Sequence, residues 1–141
     1  MGIDVLSNAR SVGPSLSERS EIIETQRRLP EDVVSDLRSA GLFRLFVPKS
    51  LGGPEVDVET AVTTISEIAR HDGGSGWCVM IAATTSLLAG FLPEEHAQVI
   101  YGPNNACTGG FAAPVGKATI VDGGLLITGT WEWGSGTQHC T

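Results

Sequence analysis

The sequence predicts an α+β chain, in which an all-helical N-terminal domain is followed by the first strands of a β domain. Three observations carry this. Apolar residues recur at helical spacing in several blocks before residue 103, and the run from Trp77 to Leu92 is apolar almost all round. After Pro103 the texture changes to Thr, Val, Ile, Gly and Trp, with a turn signal at Asp122-Gly123-Gly124. Residues 1–14 are expected as a flexible arm, 15–103 as the helical domain and 104–141 as the start of the β domain.

The arm is inferred because Ser7, Asn8, Ser11, Gly13 and Pro14 follow no period. Leu16, Ile22 and Ile23 among charged residues give a first helix, Ser17 to Arg28, and Pro30 suits the first position of a second. That helix carries Val33, Val34 and Leu37 on one face and stops at Gly41, a residue suited to the left-handed conformation. Leu42 to Val47 reads as extended, and Pro48 to Pro54 as a reversing loop. A third helix, Val58 to Arg70, presents Val58, Val62, Ile65, Ile68 and Ala69. Asp72-Gly73-Gly74-Ser75 breaks it and caps the apolar helix, and Pro93 opens a short amphipathic turn through Ile100. Five helical segments thus precede a hairpin of Lys117 to Val121 with Leu125 to Trp131.

Sixteen acidic residues against nine basic give a net charge of −7, with no basic cluster longer than Arg27-Arg28, which disfavours nucleic acid and anionic membranes as partners. As a helix, Ser75 to Phe91 is about 25 Å long, short of a bilayer core of roughly 30 Å, so it is expected at the centre of a bundle. Cys78, Cys107 and Cys140 are odd in number and widely spaced, and Met1 opens no signal-peptide pattern. They are expected as free thiols of a cytoplasmic protein. His71, His96 and His139 are far apart, and His139-Cys140 would face opposite sides of a strand, so no metal site is expected. His139, alone near the chain end, reads first as a solvated side chain, while Glu31-Asp32 and Glu94-Glu95 follow prolines at helix starts and complement the helix dipole.

The segments that look like a ligand site are Gly109-Gly110-Phe111-Ala112-Ala113-Pro114 and Gly129-Thr130-Trp131-Glu132-Trp133-Gly134-Ser135-Gly136. Small residues at strand ends let a flat ligand approach the backbone, and tryptophans offer rigid apolar faces. Strand alternation would send Trp131 and Trp133 to opposite faces, leaving at most one toward a ligand. Gly134-Ser135-Gly136 lacks the flanks of a nucleophile elbow, and neither it nor Gly74-Ser75-Gly76 extends to a dinucleotide fingerprint.

Leu29-Pro30, Gly41-Leu42-Phe43, Val47-Pro48 with Leu51-Gly52-Gly53, Ser75-Gly76-Trp77, Gly110-Phe111 with Pro114, and Gly129-Thr130-Trp131 with Ser135-Gly136 follow one another in an order and spacing that resembles the N-terminal part of the acyl-CoA dehydrogenase superfamily. Within it, the chain is most similar to the oxygenase components of two-component flavin monooxygenases that hydroxylate phenols. The resemblance implies a reduced flavin, FMN or FAD, delivered by a partner flavin reductase, and a small aromatic substrate. It also implies a homo-oligomer, tetrameric in the full-length family, with the catalytic side chain in a C-terminal part beyond these residues. Trp77, Phe111, Ala112, Ala113, Trp133, Gly134, Ser135 and Gly136 are implied to line the flavin ring, with backbone N–H groups and the Ser135 hydroxyl facing its polar edge. These 141 residues are expected to be inactive on their own. Two alternatives stand beside this reading. One is an acyl-CoA dehydrogenase proper, although Gly110 to Pro114 lacks that enzyme's Thr-Glu-Pro type segment. The other is a non-catalytic helical interaction module.

Overall fold

The computed structural model describes residues 4–111, 113 and 115–141, so Ala112 and Pro114 lie outside the described residues. Five α-helices come first: α1 Val5–Gln26, α2 Glu31–Ser39, α3 Val58–His71, α4 Gly73–Ser86 and α5 Glu94–Tyr101. A two-stranded antiparallel sheet follows, β1 Lys117–Val121 and β2 Gly124–Thr128.

The expected arm is helix from Val5 onward. Asp4 caps α1 by accepting the Ser7 N–H at 3.0 Å, and Val5, Ala9, Gly13 and Leu16 are buried along one side. Gly13 and Pro14 read as helix breakers, yet both sit inside α1. Pro14 forfeits one backbone bond, and Gly13 leaves the space that the His71 ring of α3 occupies, since a Cβ there would overlap the imidazole. Ser17 Oγ meets His71 Nδ1 at 3.0 Å beside that close approach. Arg19 of α1 reaches Asp36 at 2.6 Å and Asp32 at 2.9 Å on α2.

Leu42 to Val47 is not extended. Leu42–Arg44 forms a 3-10 turn entered through Gly41 at φ 75°, and it places Leu42, Phe43 and Leu45 in the core. Arg44 is buried with them and has no carboxylate partner among the described residues. Its guanidinium donates to the carbonyls of Leu51 (3.1 Å) and Tyr101 (2.8 Å) and to Asn104 Oδ1 (3.3 Å), and burial lowers its pKa. One side chain thereby ties the segments around residues 44, 51 and 101.

On α3 the buried face is Ala61, Thr64 and Ile68, with Val58 and Val62 turned to solvent. The expected face was displaced because α3 packs on both α1 and α4, and the α4 crossing requires small side chains. At that crossing a Cβ on Gly76 would lie 2.5 Å from Ala69 Cβ. The stretch Gly73–Phe91 is long and apolar enough by composition to span a membrane. Here it is α4 followed by a 3-10 turn over Leu87–Phe91, with Val79, Ala82 and Ala83 in the main core. Fully buried side chains such as Leu16, Leu37, Leu45 and Ile68 each contribute about 1.5–3 kcal/mol to folding.

The hairpin pairs Lys117 with Thr128 through Val121 with Gly124, across a tight Asp122-Gly123 turn with Gly123 at φ 81°. Its second strand ends at Thr128 instead of Trp131, and all ten strand residues are exposed. The helices therefore supply the core.

Gly76→Val is expected to cost about 1–3 kcal/mol by overpacking the α3–α4 crossing, measurable as a lower urea midpoint with an unchanged m-value. With Phe91 84% exposed and Leu88 and Val99 also open, the isolated 141-residue chain is expected to self-associate. A monodisperse monomer by light scattering would contradict this.

Candidate functional site

Trp77 does not enter the core. It stands on the first turns of α4 with 54% of its surface exposed and lines a cavity of about 480 Å³ with its neighbour Cys78. The opposing wall comes from the end of α1 and the corner leading to α2, residues Arg27, Arg28 and Leu29. Ser135 and Gly136 close a third side. The structure thus brings together three residues singled out from sequence, Trp77, Ser135 and Gly136.

The 133–139 segment is a series of tight turns held by its own backbone. Ser135 N–H donates to the Trp133 carbonyl at 2.8 Å, Thr137 Oγ1 donates to the Gly134 carbonyl at 2.6 Å, and His139 N–H donates to the Gly136 carbonyl at 3.0 Å. Gly136 needs to be glycine because its φ is 72°. Gly134 needs to be small because a Cβ would stand 2.7 Å from Phe111 Cε1. Within the described residues the Ser135 hydroxyl and the Gly136 N–H donate to nothing, so both remain free beside the cavity.

The other expected contacts lie elsewhere. Phe111 and Ala113 border a second, shallower depression of about 330 Å³ with Gly116, Lys117 and Trp131. The Phe111 and Trp131 rings are tilted at 42° with centroids 6.2 Å apart. Trp133 is 91% exposed at φ 63°, so strand alternation does not govern the two tryptophans. Ala112 lies outside the described residues.

Sequence reasoning missed the opposing wall and the anchor of the turn. Arg27 and Arg28 looked like a short basic pair, yet they line the cavity, Arg27 in the left-handed conformation that ends α1. His139 is not solvated but buried, at 7% exposure. Its Nε2 accepts the Leu29 N–H at 3.4 Å, and its carbonyl accepts from Arg38 at 3.4 Å. Burial first, then the nearby Arg28, lowers its pKa. Asp72, which sequence identified as a helix cap, also borders the cavity.

Burial pushes the Cys78 thiol up to about 11 and the Cys107 thiol up to about 12, while Cys140 is raised less and is exposed. None is an activated nucleophile. Among the described residues no group of three or more His, Cys, Asp or Glu side chains could hold a metal ion.

A sequence model of the family described as acyl-CoA dehydrogenase, N-terminal domain, matches residues 10–97. The chain belongs to this family. It is 30% identical over 129 residues to the oxygenase subunit HsaA, a flavin-dependent monooxygenase of Rhodococcus jostii (strain RHA1), covering 91% of this chain and 34% of the relative. It is 28% identical over 139 residues to the oxygenase component of p-hydroxyphenylacetate 3-hydroxylase from Acinetobacter baumannii, covering 98% and 33%. In three dimensions it superposes on the 3-HSA hydroxylase of Rhodococcus sp. RHA1 with a TM-score of 0.90 at 28% identity, over 97% of this chain and 36% of that one. It also superposes on XiaF from Streptomyces sp., solved in complex with FADH2 and glycerol, with a TM-score of 0.87 at 27% identity, over 92% and 33%. The chain therefore spans about a third of the length of the curated relatives it matches. The cavity lining from Ser20 to Cys78 lies within the matched residues, and Ser135 and Gly136 come from the segment beyond them.

Alkylation with iodoacetamide near pH 8 is expected to label Cys140 well before Cys78 and Cys107, because a thiol titrating near 11 is only about one part in a thousand thiolate there. Peptide mass spectrometry reads the order directly, and equal labelling of all three would refute the burial argument.

Proposed function

We propose that this chain forms one wall of the flavin and substrate site of a flavin-dependent monooxygenase oxygenase component, which hydroxylates an aromatic substrate with reduced flavin and O2. The observation that carries the reading is the convergence of Trp77 with Ser135 and Gly136 on one cavity that also offers free hydrogen-bond donors. These residues fit a flavin. An exposed indole offers a flat apolar face, Gly136 lets a planar ring approach the backbone, and the Ser135 hydroxyl and Gly136 N–H can meet the ring's polar edge. The names of the relatives compared above, a monooxygenase oxygenase subunit and a hydroxylase oxygenase component, favour hydroxylation over thioester oxidation.

When bound, reduced flavin supplies the electrons for O2 activation and oxygen transfer to the ring. Such chemistry needs a site that excludes water, and the chain contributes Trp77, Leu29 and Ile23 as apolar lining. In this reading Phe111 and Gly134 buttress the turn from behind. A partner reductase delivers the flavin, the protein works in the cytoplasm, and copies of it associate. The free thiols and the exposed apolar surface support the last two points.

In the full-length protein, Trp77→Ala and Ser135→Ala are each expected to weaken reduced-flavin binding by about three- to tenfold, read as Kd by anaerobic titration. Unchanged constants for both would remove the assignment.

A further inference from the structure

We infer that His139 is a positioning residue, whose imidazole clamps the Ser135-Gly136 turn onto the corner between α1 and α2 and thereby sets the width of the cavity between that turn and Leu29. Both sides of the clamp line the cavity, Leu29 on one and Ser135 with Gly136 on the other. His139 sits three residues past Gly136 and is bonded to its carbonyl through the His139 N–H at 3.0 Å, so ring and turn move together. The ring is buried and accepts the Leu29 N–H at Nε2 across 3.4 Å. Arg38 of α2 adds a second tie to the His139 carbonyl at 3.4 Å.

The tautomer follows from this geometry. Because Nε2 is an acceptor, the single proton of the neutral ring sits on Nδ1, which is buried and has no partner among the described residues. A second proton would have to go on Nε2, where it would confront the Leu29 N–H donor to donor and break the clamp. The charges around the ring are Arg28 at the corner and Glu31 and Arg38 on α2. On its own segment the neighbour is the Cys140 thiol, neutral because its pKa is raised. Burial is the main opposition to the second proton, the two cations add to it, and one carboxylate favours the proton. The clamped state therefore holds its proton more weakly than a free histidine. The clamp is fully present above the ordinary histidine pKa of about 6.5 and is lost as pH falls from there through the lowered value.

The inference rests on the proposed function only in naming reduced flavin as the ligand, so the experiment has two readouts. In the full-length protein, exchange of the amides at 27–29, corrected for the intrinsic pH dependence of exchange, is expected to be slow in the wild type near pH 8 and faster near pH 5. His139→Gln keeps an acceptor but cannot titrate, and it is expected to be slow at both. His139→Leu is expected to be fast at both. Reduced-flavin Kd should stay within about twofold of wild type for His139→Gln near pH 8 and rise about tenfold or more for His139→Leu. Equal exchange in wild type and His139→Leu overturns the clamp, as does a wild-type pH dependence in His139→Gln, the deciding variant should the leucine form not fold. Lost protection with unchanged Kd overturns the positioning role. A wild type that binds no reduced flavin while the exchange pattern stands removes the proposed function and leaves the clamp intact.

Discussion

Asp72 is the joint on which the rest of the structure depends. Its backbone N–H donates to Ile68 and closes α3, while its carboxylate accepts the Ser75 N–H at 2.6 Å and opens α4. No linker separates the two helices, so the extended conformation of this single residue fixes how they cross. Ser20 of α1 adds a longer contact to the same carboxylate at 3.4 Å. With the joint set, Gly76 must pass close over Ala69, and Trp77 is carried out of the bundle to face the end of α1. The cavity is a consequence of how three helices meet.

The remaining side of that cavity is held by a different class of interaction. The Ser135 turn contributes almost no apolar burial of its own and comes after a hairpin with no buried residue. Its attachment is polar: His139 to Leu29, Arg38 to the His139 carbonyl, and a reciprocal pair in which Thr141 N–H donates to the Cys107 carbonyl at 3.1 Å and Cys107 N–H to Thr141 Oγ1 at 3.2 Å. Net contributions of about 1 kcal/mol per bond make this attachment far weaker than the helical core. The cavity therefore has two walls fixed by packing and one held by a few hydrogen bonds, of which the His139 to Leu29 bond alone depends on an imidazole lone pair.

The helices were legible in the sequence because their signals are local. Val33, Val34 and Leu37 fall on one face of α2, and Asp72 and the prolines at 30 and 93 mark boundaries that the structure keeps within a residue. What was not legible depends on partners distant in sequence. Gly13 looks like a breaker until His71 is placed against it, and Leu42 to Val47 looks extended until the core claims Leu42, Phe43 and Leu45. Of the site, Trp77, Ser135 and Gly136 could be named because the order and spacing of the motifs that contain them resemble a known family, and the resemblance implied their place beside a flat ligand. Arg27, Arg28 and His139 could not, because nothing near them in sequence shows that α1 ends against the last turns of the chain.

The two segments bearing aromatic residues near the end of the chain answer to different constraints. Trp131 packs on Gly116 and Gly129, where a Cβ would come within 3 Å of its ring, so these glycines make room for the indole. Trp133 has no such seat: it is held at φ 63° with almost its whole surface open, a conformation that costs a non-glycine residue on the order of 1–3 kcal/mol. The turn directly after it, with the Ser135 N–H donating to the Trp133 carbonyl and Gly136 at φ 72°, brings Ser135 to the cavity that Trp77 lines. The strain at Trp133 is offset by the polar attachment at His139 and Thr141 that holds the segment in place.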